Sequence, residues 1–306
     1  MITPRDRRER LALAFATIHG TVPTTWVRAP GRVDLMGSHT DHNQGYALTM
    51  PIDRDTWIVA RRRLDHLVCV QSMDIGQSTP FALDRIAYHE ALEWTNYVRG
   101  IAAVLQTELY ALSGFDVLIH STVPLDSGLG SSAALEVATA VLFQALGGWD
   151  MEPVQMALLC QRAENEFVGV NSGILDQYTS ILGQAGCALL LDCRTLTNRS
   201  VALPDGVQVV ICDTQAKREL TGSEHGERRA QCEAGITILA RTYPEVRALR
   251  DVTLEQLEHH AADLPERVRK RCRFIIEENG RVLQLADALS EDNRAAIGNL
   301  MAASYA

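Results

Sequence analysis

The run Pro124-Leu125-Asp126-Ser127-Gly128-Leu129-Gly130-Ser131-Ser132-Ala133-Ala134 lies between an apolar, β-branched segment, Phe115 to His120, and an apolar-periodic one, Ser132 to about Leu146. The first predicts a strand and the second a helix, so a short chain of small residues delivers a strand into a helix N-terminus. Such a junction can hold an anion. Glycines let backbone approach a phosphate closely, and the unpaired N–H groups of a first helical turn point at it along the helix dipole. Ser131 and Ser132 add hydroxyls able to reach a phosphate oxygen or its Mg²⁺. The GxxxxGK[ST] pattern of the Walker loop is absent. An ordinary Gly/Ser turn before a helix is the alternative reading, and the unbroken order PxxxGLGSSAA is more specific than that.

The 306 residues are 46% hydrophobic and 22% charged, the balance of a globular chain able to bury a sizeable core. Two domains suit that length. A net charge of -9 argues against a nucleic-acid surface, so small molecules or copies of the chain itself are the expected partners. Lys217 and Lys270 are the only lysines, so a catalytic cation is expected to be an arginine. The seven cysteines, Cys69, Cys160, Cys187, Cys193, Cys212, Cys232 and Cys272, lie in apolar runs without metal-ligand spacing. They read as reduced core residues of a cytoplasmic protein. Asp6 and Glu9 interrupt the basic start, which predicts an opening helix rather than a secretory signal. No run reaches the ~20 apolar residues of a membrane span.

Strands are predicted near Thr56 to Ala60, Leu67 to Gln71, Phe115 to His120, Ala188 to Leu191 and Val207 to Cys212, in a mixed α and β chain. Helices are predicted from Trp94 to about Leu112, Ser132 to about Leu146 and Pro153 to Phe167. In the last of these Met156, Leu159, Cys160, Ala163 and Phe167 form the buried stripe, with Glu164 at the edge of the polar face. Thr221-Gly222-Ser223-Glu224 resembles a capping box opening a helix that runs to about Arg241. A composition break between Cys193 and Asp205 is the candidate domain boundary.

PLDSGLGSSAALEVA, from Pro124, resembles the ATP-binding signature of the kinase superfamily named after galactokinase, homoserine kinase, mevalonate kinase and phosphomevalonate kinase (GHMP kinases). Arg28-Ala29-Pro30-Gly31-Arg32-Val33-Asp34-Leu35-Met36-Gly37-Ser38-His39-Thr40-Asp41-His42-Asn43-Gln44-Gly45 resembles the sugar signature of its galactokinase branch, GRxNLxGEHxDYxxG. Trp94 to Gly100, Gly173 to Gln177, Ser223 to Glu233 and Glu278 to Val282 agree with the same branch. The resemblance extends from about Phe15 to the end.

It implies an α+β fold of two domains. Residues 1–195 would form an N-terminal domain like ribosomal protein S5 domain 2, with the sugar signature and the ATP loop, and residues 196–306 a ferredoxin-like C-terminal domain. Family members carry a third, Gly-rich motif near the C-terminus that this sequence does not reach, and the final stretch from Asn299 reads as a helix without a stop signal. The second domain is therefore expected to be incomplete.

The implied activity is that of an ATP-dependent sugar 1-kinase of galactokinase type, a phosphotransferase with an alcohol acceptor that uses ATP and Mg²⁺. Asp176 matches the family aspartate beside the attacking hydroxyl, acting as general base or orienting group; alone, it would read as a turn or cap residue. Arg32 matches the arginine that pairs with it and steadies the transferring phosphoryl group. Pro124, Ser127, Gly128, Leu129, Gly130, Ser131, Ser132, Ala133 and Ala134 are the ATP-binding positions. Ser132 and Glu164 are the implied magnesium ligands, enough for an ion that keeps several waters.

Ser38, His39, Asp41, Gly173 and His225 are the implied sugar-binding positions. Four of the family's residues are replaced: the glutamate addressing the C6 hydroxyl by Ser38, the asparagine of GRxN by Asp34, and two tyrosines by His42 and His225. Loss of a charge-assisted hydrogen bond costs about 1.5 to 3 kcal/mol, so discrimination at C6 should weaken. Galactose or a close relative is the expected acceptor. An L-arabinokinase, or a kinase with altered C6 recognition, is the alternative of the same class, and a catalytically silent sugar sensor the alternative from another.

Overall fold

The computed structural model describes residues 4–125, 127–212 and 223–305, with the side chains of 223–225 outside that description. In chain order the elements to residue 182 are α1 (Pro4–His19), β1 (Thr25–Met36), β2 (Tyr46–Arg62), β3 (Leu67–Ser72), β4 (Ser78–Ala82), α2 (Thr95–Thr107), β5 (Phe115–Ser121), α3 (Ser131–Gly147), α4 (Pro153–Arg162) and α5 (Leu175–Leu182). After these come β6 (Cys187–Asp192), β7 (Thr197–Ala202), α6 (Ser223–Leu239), α7 (Leu254–His259), α8 (Glu266–Ser290) and α9 (Arg294–Tyr305). The chain divides into two compact units, Met1–Arg32 with Ile52–Leu182, and Val33–Pro51 with Gly183–Ala306. It passes between them inside β1 and inside β2.

In the first unit β4 pairs antiparallel with β3 and β3 parallel with β5. β5 in turn pairs antiparallel with β2, with Ile58 opposite Ile119 and Ala60 opposite Val117. Strand alternation then sorts the side chains onto two faces. Ile58, Ala60, Val68, Val70, Val117 and Ile119 enter the larger core with Val98, Ile101 and Leu105 of α2, Val137 and Phe143 of α3, and Met156 and Leu159 of α4. Val59 and Leu118 point the other way, onto Leu11 and Phe15 of α1. The expected opening helix is thus a packed layer. Its Arg7 donates to His120 Nδ1 at 2.8 Å and to the His120 carbonyl at 2.8 Å, and is ion-paired with Asp55.

In the second unit Tyr46 to Thr49 of β2 pair antiparallel with β6, and β6 with β7. The composition break after Cys193 falls on the β6–β7 hairpin, where Asp192 accepts from the N–H groups of Arg194 and Thr195. α8 serves two cores. One joins it to α6 and α7 through Cys232, Leu257, Val268, Cys272 and Ile275; the other joins Val282, Leu285 and Leu289 to Leu48, Ala188 and Val201 of the strands.

Three expectations are corrected. Val207 to Cys212 form no strand, since no neighbouring strand among the described residues takes their hydrogen bonds; Val210 is 78% exposed. Cys212 is correspondingly exposed rather than a core thiol, whereas Cys160, Cys232 and Cys272 are buried and none forms a disulfide. The helix from Pro153 is regular only to Arg162; residues Ala163–Val168 continue as one wider π-helical turn. Thr221 and Gly222 of the expected capping box lie outside the described residues.

Candidate active site

The loop from Pro124 to Gly130 hands β5 to α3. Ser127 Oγ donates to the Pro124 carbonyl at 2.8 Å, tightening it. Gly130 caps the helix in the left-handed region (φ +72°), a conformation costly for other residues, and accepts the first helical bond from Ala134 N at 3.0 Å. The amides of Ser131, Ser132 and Ala133 therefore belong to a first turn with no intrahelical acceptors.

Arg32, at the end of the first unit's part of β1, reaches this loop by both backbone and side chain. Its N–H donates to the Leu129 carbonyl at 2.9 Å and its Nη1 to the Gly128 carbonyl. From α5, Asp176 accepts from Arg32 Nε at 2.8 Å and from Nη2. A Cβ built on Gly130 would lie 3.4 Å from Arg32 Cγ and 3.5 Å from Asp176 Oδ2. The guanidinium, the carboxylate and the helix N-terminus, far apart in sequence, meet at one place.

Glu164 lies beside them, and not on the polar edge that a regular helix would give it. It is 4% exposed. In the π turn both Gly169 N and Val170 N donate to the Glu164 carbonyl, which widens the winding after it. Its carboxylate accepts from Ser172 Oγ, from Ser132 and from Gln177 Nε2 at 2.8 Å. Burial still pushes its pKa above the ordinary value, against the pull of those donors. A cation would restore the charged form. Ser132 and Glu164 are an all-oxygen pair of the kind Mg²⁺ accepts, and no group of three or more His, Cys, Asp or Glu among the described residues could hold a metal by itself. Gly173 stands in the loop between Ser172 and α5, partly buried.

Sequence reasoning alone gives Glu136 and Gln177 no role. Glu136, on α3, is fully buried, and its Oε2 accepts from the same Gln177 nitrogen at 2.9 Å. Burial, with Glu164 nearby, pushes its carboxyl well above the usual carboxylate range. The available signal is a lone acid in the largely apolar helix Ser131–Gly147, at a position between Ala133, Ala134, Val137 and Ala140 that are all buried.

In the second unit the sugar-signature positions form a tight loop. Thr40 Oγ1 donates to the carbonyls of Gly37 and Tyr46, and Asn43 Nδ2 to that of His39. His39 and Gln44 take positive φ. Asp41 and His42 are paired at 3.2 Å. Burial raises Asp41, but the hydrogen bond and charge of His42 outweigh it and hold the carboxyl below its usual range. Burial lowers His42, yet Asp41 and the adjacent Cys232 bring it up to about 9. Ser38 is exposed and lines a cavity of about 260 Å³ with His39, Arg228, Cys232 and Arg271; Arg228 Nη1 lies 3.4 Å from His39 Nε2. The side chain of His225 lies outside the described residues.

α8 holds this loop with two residues of the Glu278 to Val282 stretch, whose motif alone assigns them no task. Glu278 Oε1 accepts from Gly37 N at 3.1 Å and from Ser304 Oγ at 2.6 Å, and its Oε2 from Arg281 Nε at 2.7 Å. Asn279 Oδ1 accepts from Tyr46 N at 3.0 Å and sits where Gly45 would carry a Cβ, only 2.1 Å away.

The helix-initiating loop, the mixed sheet and the helices over it are the fold of the GHMP kinases. Residues 96–184 match the family model of the GHMP kinases N terminal domain. Streptococcus pneumoniae phosphomevalonate kinase, solved with phosphomevalonate and AMPPNP, shares that fold at 12% identity, with a TM-score of 0.58 over 92% of this chain and 78% of that one. Residues 13–62 match the galactokinase galactose-binding signature. A galactokinase of Roseiflexus sp. (strain RS-1) is 45% identical over 306 residues, all of this chain and 77% of the relative. One of Chloroflexus aggregans is 44% identical over 95% of this chain and 75% of its own length. Lactococcus lactis galactokinase, solved with galactose, superposes with a TM-score of 0.88 at 30% identity, covering 97% of this chain and 78% of that one. The chain belongs to the galactokinase family, whose members are phosphotransferases with an alcohol acceptor. No helix among the described residues is long and apolar enough to cross a membrane.

Proposed function

We propose that the chain transfers the γ-phosphate of ATP to the anomeric hydroxyl of galactose or a close relative. The observation that carries this reading is the meeting of Arg32, Asp176 and the Gly128–Ser132 turn at the N-terminus of α3. Phosphoryl transfer asks little covalent help of a protein; it needs an aligned hydroxyl and compensation of charge on the transferred group. Asp176 fixes the hydroxyl and receives its proton, or holds it until the proton leaves with the phosphate. Arg32 orients that carboxylate and lends its remaining charge to the phosphoryl oxygens as the bond to the β-phosphate breaks. Amides of the α3 first turn bind the phosphates. Ser132 and Glu164 would hold Mg²⁺, which when bound neutralises charge on the phosphate oxygens.

His39, Asp41, Gly173 and His225 are assigned to the sugar, and Ser38 to a relaxed C6 subsite. Residues 1–195 and 196–306 are taken as the two kinase domains, and the cytoplasm as the site of action. An L-arabinose preference is the second reading, favoured by Ser38, which is short and exposed in its cavity. ADP release measured with galactose, L-arabinose and C6-altered sugars tests both. Galactose should give the highest kcat/KM, and Asp176→Asn should abolish at least ~10²-fold of it. A strong arabinose preference would replace the acceptor, and sugar-independent or absent turnover would sink the kinase assignment.

A further inference from the structure

We propose that Glu136 is a positioning residue for the magnesium carboxylate, acting through the side-chain amide of Gln177. One atom of that amide lies within hydrogen-bond distance of two carboxylates, 2.9 Å from Glu136 Oε2 and 2.8 Å from Glu164 Oε2. Carboxylate oxygens of this kind demand donors, and only the nitrogen supplies two hydrogens, so the pair of acids fixes which way the amide faces. Without Glu136 the amide nitrogen keeps only Glu164 as acceptor, so its side chain loses the second anchor that fixes where the donor sits. Ser172 and Gln177 both bind Oε2 of Glu164 and Ser132 also donates to the carboxylate, so the amide is one of three donors that hold it.

Two further facts separate this from ordinary packing. Glu136 is an acid at 0% exposure in a helix core where an apolar residue would pack without desolvation cost, and its second oxygen has no partner among the described residues. Gln177 follows Asp176 directly in the first turn of α5, so the same amide anchors the turn that carries the proposed base. The acid spans α3 and α5 at the level of the site, where side chains are held in register by second contacts.

The inference rests on Glu164 being the carboxylate that holds magnesium. Mn²⁺ binding serves as the probe, followed by electron paramagnetic resonance with β,γ-imido-ATP present, so no turnover is needed. Glu136→Met should weaken Mn²⁺ about tenfold, as should Gln177→Met, while Glu136→Gln, whose amide oxygen still accepts from Gln177, should stay within about threefold of the parent. If E136M does not yield folded protein, Glu136→Ser carries the same expectation. A purely structural role would lower the melting temperature and leave Mn²⁺ affinity alone. Unchanged affinity in E136M (or in Glu136→Ser where that replaces it), or equal losses in E136Q and E136M, overturns the proposal while leaving Glu164 as ligand. Unchanged affinity in Glu164→Gln overturns the ligand assignment itself, and the positioning role with it.

Discussion

The phosphate-side constellation of the first unit and the signature loop of the second solve opposite problems. Around Arg32 and Asp176, charge is gathered on regular elements and left under-compensated: two buried acids share one amide, and burial keeps both above the usual carboxylate range. Around Gly37 to Gly45 the backbone is irregular and its acids are answered. Asp41 has His42, and Glu278 has Arg281, Ser304 and a backbone N–H. The first region stores electrostatic demand that a bound ion and nucleotide can satisfy; the second spends its charges on holding a loop in shape. Substitutions around Arg32 and Asp176 should therefore cost turnover, and those of the residues that only brace the signature loop should cost stability.

The largest test of that contrast is Arg32→Met. It should lower kcat about 10²- to 10³-fold, the usual loss for a group that stabilises developing charge, with the sugar KM within about threefold. A mainly raised KM would place Arg32 in binding instead. Glu278→Ala should do the reverse. Removing this buried carboxylate takes the acceptor from Gly37 N, Ser304 Oγ and Arg281 Nε and leaves Arg281 only its longer contact with Glu277, a loss of about 3 kcal/mol seen in denaturant unfolding. Loss of turnover without loss of stability would erase the distinction.

A smaller effect is expected at His42. Its proton affinity is raised from 6.5 to about 9, so the stability it contributes is complete below pH 6.5 and disappears as pH rises through about 9. Across that window the parent should lose about 3 kcal/mol that His42→Gln does not lose, read from unfolding midpoints at several pH values. An identical slope in both proteins would mean that the imidazole and Asp41 are not an ion pair. The smallest effect is expected outside both regions: Val210→Thr, at an exposed position, should change stability by less than about 0.5 kcal/mol. A larger loss would show that Val207 to Cys212 has a partner after all.

How much of this is legible in the sequence tracks how local the determining physics is. The loop before α3 is legible because strand, glycines and helix start succeed one another within a few residues. Arg32 and Asp176 are legible only through resemblance, since nothing local links positions so far apart. The helical period gives Glu164 only a place at the edge of the buried stripe; its partners Ser132, Ser172 and Gln177 are brought to it by tertiary structure. Val207 to Cys212 has strand composition, yet composition does not supply a neighbour. Glu278 and Asn279 stand out as part of a motif, but their task of holding a loop more than two hundred residues away is a tertiary fact.

The widened turn has a bearing on how this enzyme tolerates insertions and deletions. The wider turn sets the length of chain between Glu164 and Ser172, which donates to it. Deleting a residue such as Asn165 would return the segment to ordinary pitch and alter that spacing, so the chain should still fold while its turnover collapses. Length at that spot, and not chemical identity alone, is under constraint.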